Sequence, residues 1–159
     1  MPAPIECVAF RPGWEDALAR FFSDLNAKGD DAFFHPHASD EAGLHGLASD
    51  TGDDLYYLFV RGREVLGYGL LRGWNEGYEI PSLGIAVHPS MRGTGLGRLI
   101  MDFLEAMARM RGASSIRLRV HKDNAIARGM YARRGYRLTP DGRDESLIVG
   151  IKSLRRDAG

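Results

Sequence analysis

The sequence predicts an α/β fold (α+β in some schemes) built on one mixed, mostly antiparallel sheet of six to seven strands with about four helices. The predicted order is β-α-α-β-β-β-α-β-α-β-β. Three observations carry this. The apolar period switches repeatedly between 2 and 3.6 residues along the 159-residue chain. Arg61-Gly62-Arg63 lies between two apolar runs as a hairpin signal. A strand, a long helix and a strand then follow one another, a βαβ unit whose crossover is right-handed. With 44% hydrophobic and 26% charged residues, the chain supports one domain over 1–154 and a loose tail over 155–159.

Ile5 to Arg11, with Val8 and Phe10, reads as a first strand ended by Pro12-Gly13. Trp14, Leu18, Phe21, Phe22 and Leu25 recur at helical spacing, giving an amphipathic helix over 13–27 that Lys28-Gly29 closes. Within Asp30 to Ser39 the run Phe33-Phe34-His35-Pro36-His37 excludes a continuing helix, and Ser39 or Asp40 caps a second one through about Ser49. Leu55 to Val60 and Glu64 to Leu71 are the hairpin strands. The polar turn Arg72 to Gly77 leads into an extended run from Tyr78 to Val87. Pro81 removes a backbone donor there, so that strand should be interrupted, bulged or unpaired on one side. Leu96, Leu99, Ile100, Phe103, Leu104, Met107 and Met110 mark one face of the longest helix, which stops at Arg111-Gly112. Ser115 to Val120 alternates Ile116, Leu118 and Val120 with Arg117 and Arg119, a half-buried strand. Asn124 to Arg134 is a further helix and Gly135 to Leu138 a short strand; Ser146 to Leu154 is the last strand, after the Pro140-Asp141-Gly142 turn.

Lys plus Arg and Asp plus Glu each number 21, and the pI near 7.0 is a poor footprint for a dedicated nucleic-acid or anionic-membrane binder. Charge is nevertheless uneven. Residues 15–54 hold ten acids against Arg20 and Lys28, whereas residues 91–137 hold eleven bases against Asp102, Glu105 and Asp123. Solvated helix faces explain such runs, and so does a polyanionic ligand on the later half with a cationic one on the earlier half. Cys7 is the single cysteine, so an internal disulfide is excluded, and it reads as a small buried residue on a strand. The chain shows no basic-then-apolar leader and no eighteen-residue apolar run, which points to a soluble protein of a reducing cytoplasm.

The chemistry concentrates in Val87-His88-Pro89-Ser90-Met91-Arg92-Gly93-Thr94-Gly95-Leu96-Gly97-Arg98, between a strand and the N-terminus of the longest helix. Alternating glycines let successive amides turn inward without Cβ clashes, and the helix's positive end points the same way, so the segment reads as a phosphate cradle. It is not a P-loop, since Gly97 is followed by Arg98-Leu99 rather than Lys-Ser or Lys-Thr. It is a poor dinucleotide fingerprint too: the third glycine is misplaced, and Arg117 stands where an acid is needed.

Arg92-Gly93-Thr94-Gly95-Leu96-Gly97 resembles the R/Q-x-x-G-x-G/A signature of the GNAT superfamily of acyl-CoA N-acyltransferases. Asn124-Ala125 through Tyr131 to Gly135-Tyr136 is similar to that family's N-x-x-A-x-x-x-Y-x-x-x-G-F/Y helix, and the element order matches end to end. The resemblance implies a parallel, splayed strand pair at the sheet centre and acetyl-CoA as cofactor, with coenzyme A as product. The strand Leu83 to Val87 would pair with the pantetheine arm through Ile85, Ala86 and Val87, chiefly the amides of Ile85 and Val87. Arg92, Gly93, Thr94, Gly95, Leu96, Gly97 and Arg98 would wrap the pyrophosphate; Asn124 would reach the pantetheine; Tyr131 would stand beside the sulfur as general acid. A phenol of pKa about 10 can protonate a departing thiolate of pKa about 8.5. The competing reading of Tyr131 is a packed core residue.

An amine must be neutral to attack a thioester, so the site needs a proton acceptor. Glu79 is the first candidate, on the strand leading to the glycine turn and acting directly or through a water; Glu76 is second, and His35, His37 and His88 are weaker. His88 beside Pro89 reads better as loop structure, and His35 with His37 lacks further ligands, so no metal is expected. Phe33, Phe34, Trp74 and Tyr78 are candidate aromatic walls around Glu76, suiting a cationic or amphipathic amine. The stretches 71–85 and 33–37 also resemble a bacterial subgroup associated with surface-carbohydrate pathways, which implies an amino sugar. The sequence thus predicts an N-acetyltransferase acting on a primary amine of a small molecule by direct attack in a ternary complex. Its rivals are a protein or peptide N-acetyltransferase, a non-catalytic acyl-CoA-binding domain and a nucleotide-phosphate binder. Small domains of this kind pair through strands, which makes a homodimer the assembly to look for.

Overall fold

Seven strands assemble in the order β1-β2-β3-β4-β5-β7-β6: β1 (Glu6–Ala9), β2 (Leu55–Arg61), β3 (Glu64–Arg72), β4 (Ser82–Val87), β5 (Ser115–His121), β6 (Arg137–Pro140) and β7 (Leu147–Ser153). Every neighbouring pair is antiparallel except β4 with β5. The computed structural model describes residues 1–27 and 37–155, and within them four helices cover the sheet: α1 (Glu15–Ala27), α2 (Glu41–Ala48), α3 (Leu96–Met110) and α4 (Ala125–Arg133). None of the helices of the described residues is long and apolar enough to cross a membrane.

Alternation along β3, offset by one residue at a bulge where Leu66 has no partner opposite Phe59 and Val60, divides the core in two. Tyr68 and Leu70 point into a cluster with Phe10, Leu18, Phe21, Leu25 and Leu44, under α1 and α2. Leu66 and Leu71 join the other cluster with Leu83, Ile100, Leu104, Leu118 and Tyr131, under α3 and α4. The seating of α3 follows from two glycines: a Cβ at Gly67 would lie 2.7 Å from Ile100 Cδ1, and one at Gly69 would lie 2.9 Å from Ile100 Cγ2. With no side chain there, the helix comes down onto β3, and truncating the fully buried Ile100 to Ala would cost about 2–5 kcal/mol. At the start of α2, Asp40 rather than Ser39 is the cap, its Oδ1 accepting from the Gly43 amide at 2.9 Å.

Three expectations are corrected. The run from Tyr78 does not form one strand: β4 begins only at Ser82, and Tyr78, Glu79 and Ile80 are exposed in the preceding bend. Pro81 is therefore a start, not an interruption, and its carbonyl accepts from the Arg117 amide at 2.9 Å, beginning the parallel pair. On α3, Leu99 and Met110 are exposed whereas Met101, Glu105 and Ala108 are buried, because the helix rests on the line Leu96, Ile100, Leu104, Ala108 instead of its expected neighbour. Cys7 is exposed because β1 is the edge strand: opposite Phe59 it lies on the face that carries α3, but at the margin of the sheet. The tail residues 156–159 and the helix-closing Lys28-Gly29 lie outside the described residues.

Candidate active site

The parallel pair at the centre is short. β4 and β5 are in register only at Ser82 with Arg117 and Leu83 with Leu118, although both strands run on, β4 to Val87 and β5 to His121. Beyond Leu83 the strands part and leave a V. Which backbone groups line it follows from the period of two. The His88 amide donates to Leu66 O on the β3 side at 2.8 Å, while Pro81 O receives its bond from β5. Ser82, Gly84 and Ala86 therefore turn their amides and carbonyls to β3, and Leu83, Ile85 and Val87 turn theirs to β5. Ile85 and Val87 present a strand edge to an open gap, whereas Ala86 turns its amide and carbonyl to β3.

At the open end of the V stands the glycine turn. Gly93 and Gly95 have φ of 73° and 92°, left-handed values that other residues rarely adopt, and nothing lies within 4 Å of where their Cβ atoms would be. The Thr94 hydroxyl donates to Met91 O at 2.6 Å and its Oγ1 accepts from the Leu96 amide at 3.4 Å, which pins the turn. Gly95 caps α3 with no side-chain hydrogen bond. The amides of Gly93, Gly95, Gly97 and Arg98 thus lack partners among the described residues, so several donors and a helix dipole converge on open space. Arg92 and Arg98 are exposed beside them. His88 braces the approach: its Nε2 lies 2.8 Å from Asp24 Oδ2 on α1, and its Nδ1 accepts from the Ser90 amide at 3.2 Å and from Ser90 Oγ at 2.8 Å. Since Nδ1 accepts, the ring proton sits on Nε2 and is donated to Asp24, which leaves His88 a loop anchor, not a base.

A parted strand pair that opens onto an uncapped helix is the arrangement the motifs imply, and the profile of the acetyltransferase (GNAT) family matches residues 10–136. The chain belongs to the GNAT acetyltransferase family. Solved structures share its fold. PaiA N-acetyltransferase from Thermoplasma acidophilum, in complex with coenzyme A, superposes with a TM-score of 0.76 at 14% identity, covering 94% of this chain and 99% of that one. An acetyltransferase from Thermus thermophilus gives 0.76 at 18% identity over 96% and 99%. The ribosomal-protein-S18-alanine N-acetyltransferase from Escherichia coli gives 0.70 at 16% identity over 98% and 97%. As a GNAT acetyltransferase the protein uses acetyl-CoA as acyl donor, and the turn and the V have the donors and the room that a diphosphate and an extended pantetheine require.

Other GNAT motif residues fall as follows. Tyr131 is buried on α4, in the core cluster that Val120, Leu96, Ile85 and Val87 also join, which places it on the α3 and α4 side of the V. Burial pushes its phenol up to about 12. No hydrogen bond joins its hydroxyl to another of the described residues. Its ring meets Tyr136 edge to face at 5.8 Å, and Tyr136 in turn donates to Glu105 Oε1 at 3.0 Å. Glu105, 3% exposed, also receives Lys152 Nζ at 2.9 Å and lies 3.4 Å from an Arg134 nitrogen, so a buried carboxylate ties α3, β7 and the end of α4 together behind Tyr131. Sequence reasoning missed Glu105, whose only signal was an acid among apolar residues in the stripe. Asn124 caps α4, its Oδ1 accepting from the Ala127 amide at 3.2 Å, which leaves only its amide nitrogen to donate elsewhere.

On the acceptor side the expected set is dispersed. Phe33, Phe34 and His35 lie outside the described residues. Glu79 and Glu76 are exposed, and Glu79 precedes the paired end of β4, so it stands at the closed end of the V. Tyr78 is 63% exposed, and Trp74 is already stacked under Arg111, 5.0 Å from its ring centre. The structure assembles another group, of which the sequence named only His37, as a weaker candidate base. On the α1 and α2 face, His37 Nε2 accepts from the Tyr68 hydroxyl at 2.7 Å, since its Nδ1 donates to Ala38 O at 2.9 Å. His37 also meets Phe22 and Tyr56 edge to face. Burial, and then the nearby charge of Arg72, hold the His37 imidazole below its usual range, which favours the neutral ring. Tyr68 pairs with Ala86, so this cluster walls one flank of β4.

Proposed function

We propose that this protein, as one domain over residues 1–154, transfers the acetyl group of acetyl-CoA to a primary amine of a small molecule by direct attack in a ternary complex. The observation that carries the reading is the V between β4 and β5, open beyond Leu83 and Leu118, with Tyr131 on one side and the glycine turn at its end. The donor supplies an activated acyl carbon and a thiolate that must leave protonated. Gly93 to Arg98 hold its diphosphate by main-chain donors and the helix dipole. Ile85 and Val87 hold the pantetheine arm as an added strand and offer amides to the negative charge that develops on the acyl oxygen. Asn124 donates to the same arm through its amide nitrogen.

Tyr131 gives the thiolate its proton. A phenol near 12 is a weak acid toward an aqueous thiol of about 8.5, but the burial that raises the phenol also raises a thiolate lodged beside it, and the difference sets the driving force. Glu79, at the closed end, takes the amine proton through water, with Glu76 beside it on the exposed bend. The neutral flank of His37, Tyr56 and Tyr68, bonded within itself, favours a small acceptor over a peptide because it closes that side of β4. An amino sugar is the first acceptor to try. The test is thiol release from acetyl-CoA against amino sugars, polyamines, amino acids and peptides: release with small amines is expected, whereas release with peptides alone overturns the acceptor class.

A further inference from the structure

The register of the central strands lines up Arg72 of β3, Ser82 of β4 and Arg117 of β5 in one row, Arg72 opposite Ser82 and Ser82 opposite Arg117. Paired residues share a face. Leu70, two residues before Arg72, belongs to the core under α1 and α2, while Ile116 and Leu118 beside Arg117 belong to the other core. The row therefore points to the α1 and α2 face, and its two arginines stand about 10 Å apart across a serine, two strand spacings. Above Ser82, β4 continues on this face as the half-buried Gly84 and then Ala86, which is buried in the core under α1 and α2. A Cβ at Gly84 would come within 3.1 Å of Leu70 Cδ1. No helix of the described residues covers β5, β7 and β6 on this face, where Arg119, Arg137 and Ile151 are exposed.

The charges in the row are not alike in their surroundings. Arg72 bonds the Tyr56 side chain, and Arg119 lies 3.4 Å from Asp141 Oδ2. Arg117 is half-buried, and among the described residues no carboxylate lies within ion-pair distance of it. A partly desolvated guanidinium gains most from a carboxylate or phosphate that it can grip with two parallel hydrogen bonds. Resting on the acetyltransferase reading above, we propose that Arg117, with Arg72 across Ser82, binds an anionic group on the acceptor. The acceptor is then a primary amine that also carries a carboxylate or phosphate. The row lies one to two residues below the point where the V opens, so nitrogen and anion are separated by about 4–7 Å. This narrows the cationic or amphipathic amine that the sequence suggested to one that also carries an anion.

Two readouts test it. With coenzyme A saturating the glycine turn, titration with inorganic phosphate should show saturable binding, about tenfold weaker in Arg117→Ala and restored in part by Arg117→Lys. In steady-state kinetics, glucosamine 6-phosphate and alanine, compared with glucosamine and alaninamide, should identify an anionic member favoured by at least tenfold in kcat/KM. Arg117→Ala should raise KM for that member roughly 30-fold and leave KM for acetyl-CoA unchanged. Ser82→Asp, which sets a carboxylate between the arginines, should abolish the preference in a chain whose β5 is untouched. Equal phosphate binding by wild type and Arg117→Ala, or a neutral amine preferred by the wild type, overturns the proposal. Arg117-dependent phosphate binding without thiol release from any acceptor would instead sink the acetyltransferase reading and leave the anion site standing.

Discussion

The two sides of β4 are made from different materials. Toward the V and the glycine turn the groups on offer are amides of Ile85, Val87 and residues 93–98, fixed by left-handed glycines and a helix start. Toward α1 and α2 they are side chains, His37, Tyr56, Tyr68, Arg72 and Arg117, drawn from three strands and a loop. A main-chain surface suits a ligand that never changes, and a side-chain surface can be re-chosen residue by residue without disturbing it. The donor is common to the family, whereas the acceptor is particular to the chain.

If the division holds, mutations on one side should leave the other's ligand alone. Tyr131→Phe is expected to have the largest effect, lowering turnover by about 10²- to 10³-fold while the Kd for acetyl-CoA, measured by calorimetry, stays within about twofold. A comparable loss of cofactor affinity would instead make Tyr131 a packing residue. Next comes the support behind it. Glu105→Ala strands Lys152, Arg134 and Tyr136 around an empty site, and urea unfolding should show about 3 kcal/mol less stability with an unchanged m-value.

Alkali should act on the same region. The folded pKa of Tyr131, about 12, lies above the unfolded value near 10, so its contribution is complete below pH 10 and disappears as pH rises through 12. Two pH units correspond to about 3 kcal/mol as an upper bound. Burial also raises Tyr68 and Tyr136, so the melting temperature should fall steeply between pH 10 and 12, and Tyr131→Phe should fall less steeply. Smaller again is Gly95→Ala, which puts a Cβ on a residue at φ 92° and costs about 1–2 kcal/mol locally; cofactor Kd should rise about tenfold with no change in amine KM. Glu79→Gln should lower kcat/KM by about fivefold at neutral pH, since an exposed carboxylate acting through water shares the amine proton with solvent. An unchanged kcat/KM would remove Glu79 as the proton acceptor.

The same division explains what could be read in the chain beforehand. The glycine turn, α3, β5 and the Asn124 to Tyr136 segment are local patterns, each complete within about a dozen residues, and all appeared where expected. The central sheet followed from element order, and its parallel pair from the family resemblance. Arg72 and Arg117 are 45 residues apart; they become neighbours only through the register of two strand pairings, which no local period specifies. The sequence puts Glu79 on a strand because Pro81 reads as a flaw inside an extended run, and a missing donor does not reveal whether it interrupts a ladder or begins one. Leu99 and Met110 fit a helical stripe as well as Met101 and Ala108 do. The choice between stripes was made by two glycines on another element.

Pro81 has one more effect. Because the ladder between β4 and β5 starts there and ends two residues later, the seven strands are two smaller sheets, one of four and one of three, clipped together at a single corner and strapped by α3. On the reading proposed above, a pantetheine arm lying along Ile85 and Val87 would supply the missing rung, and the loaded protein would be the first state in which the sheet is whole.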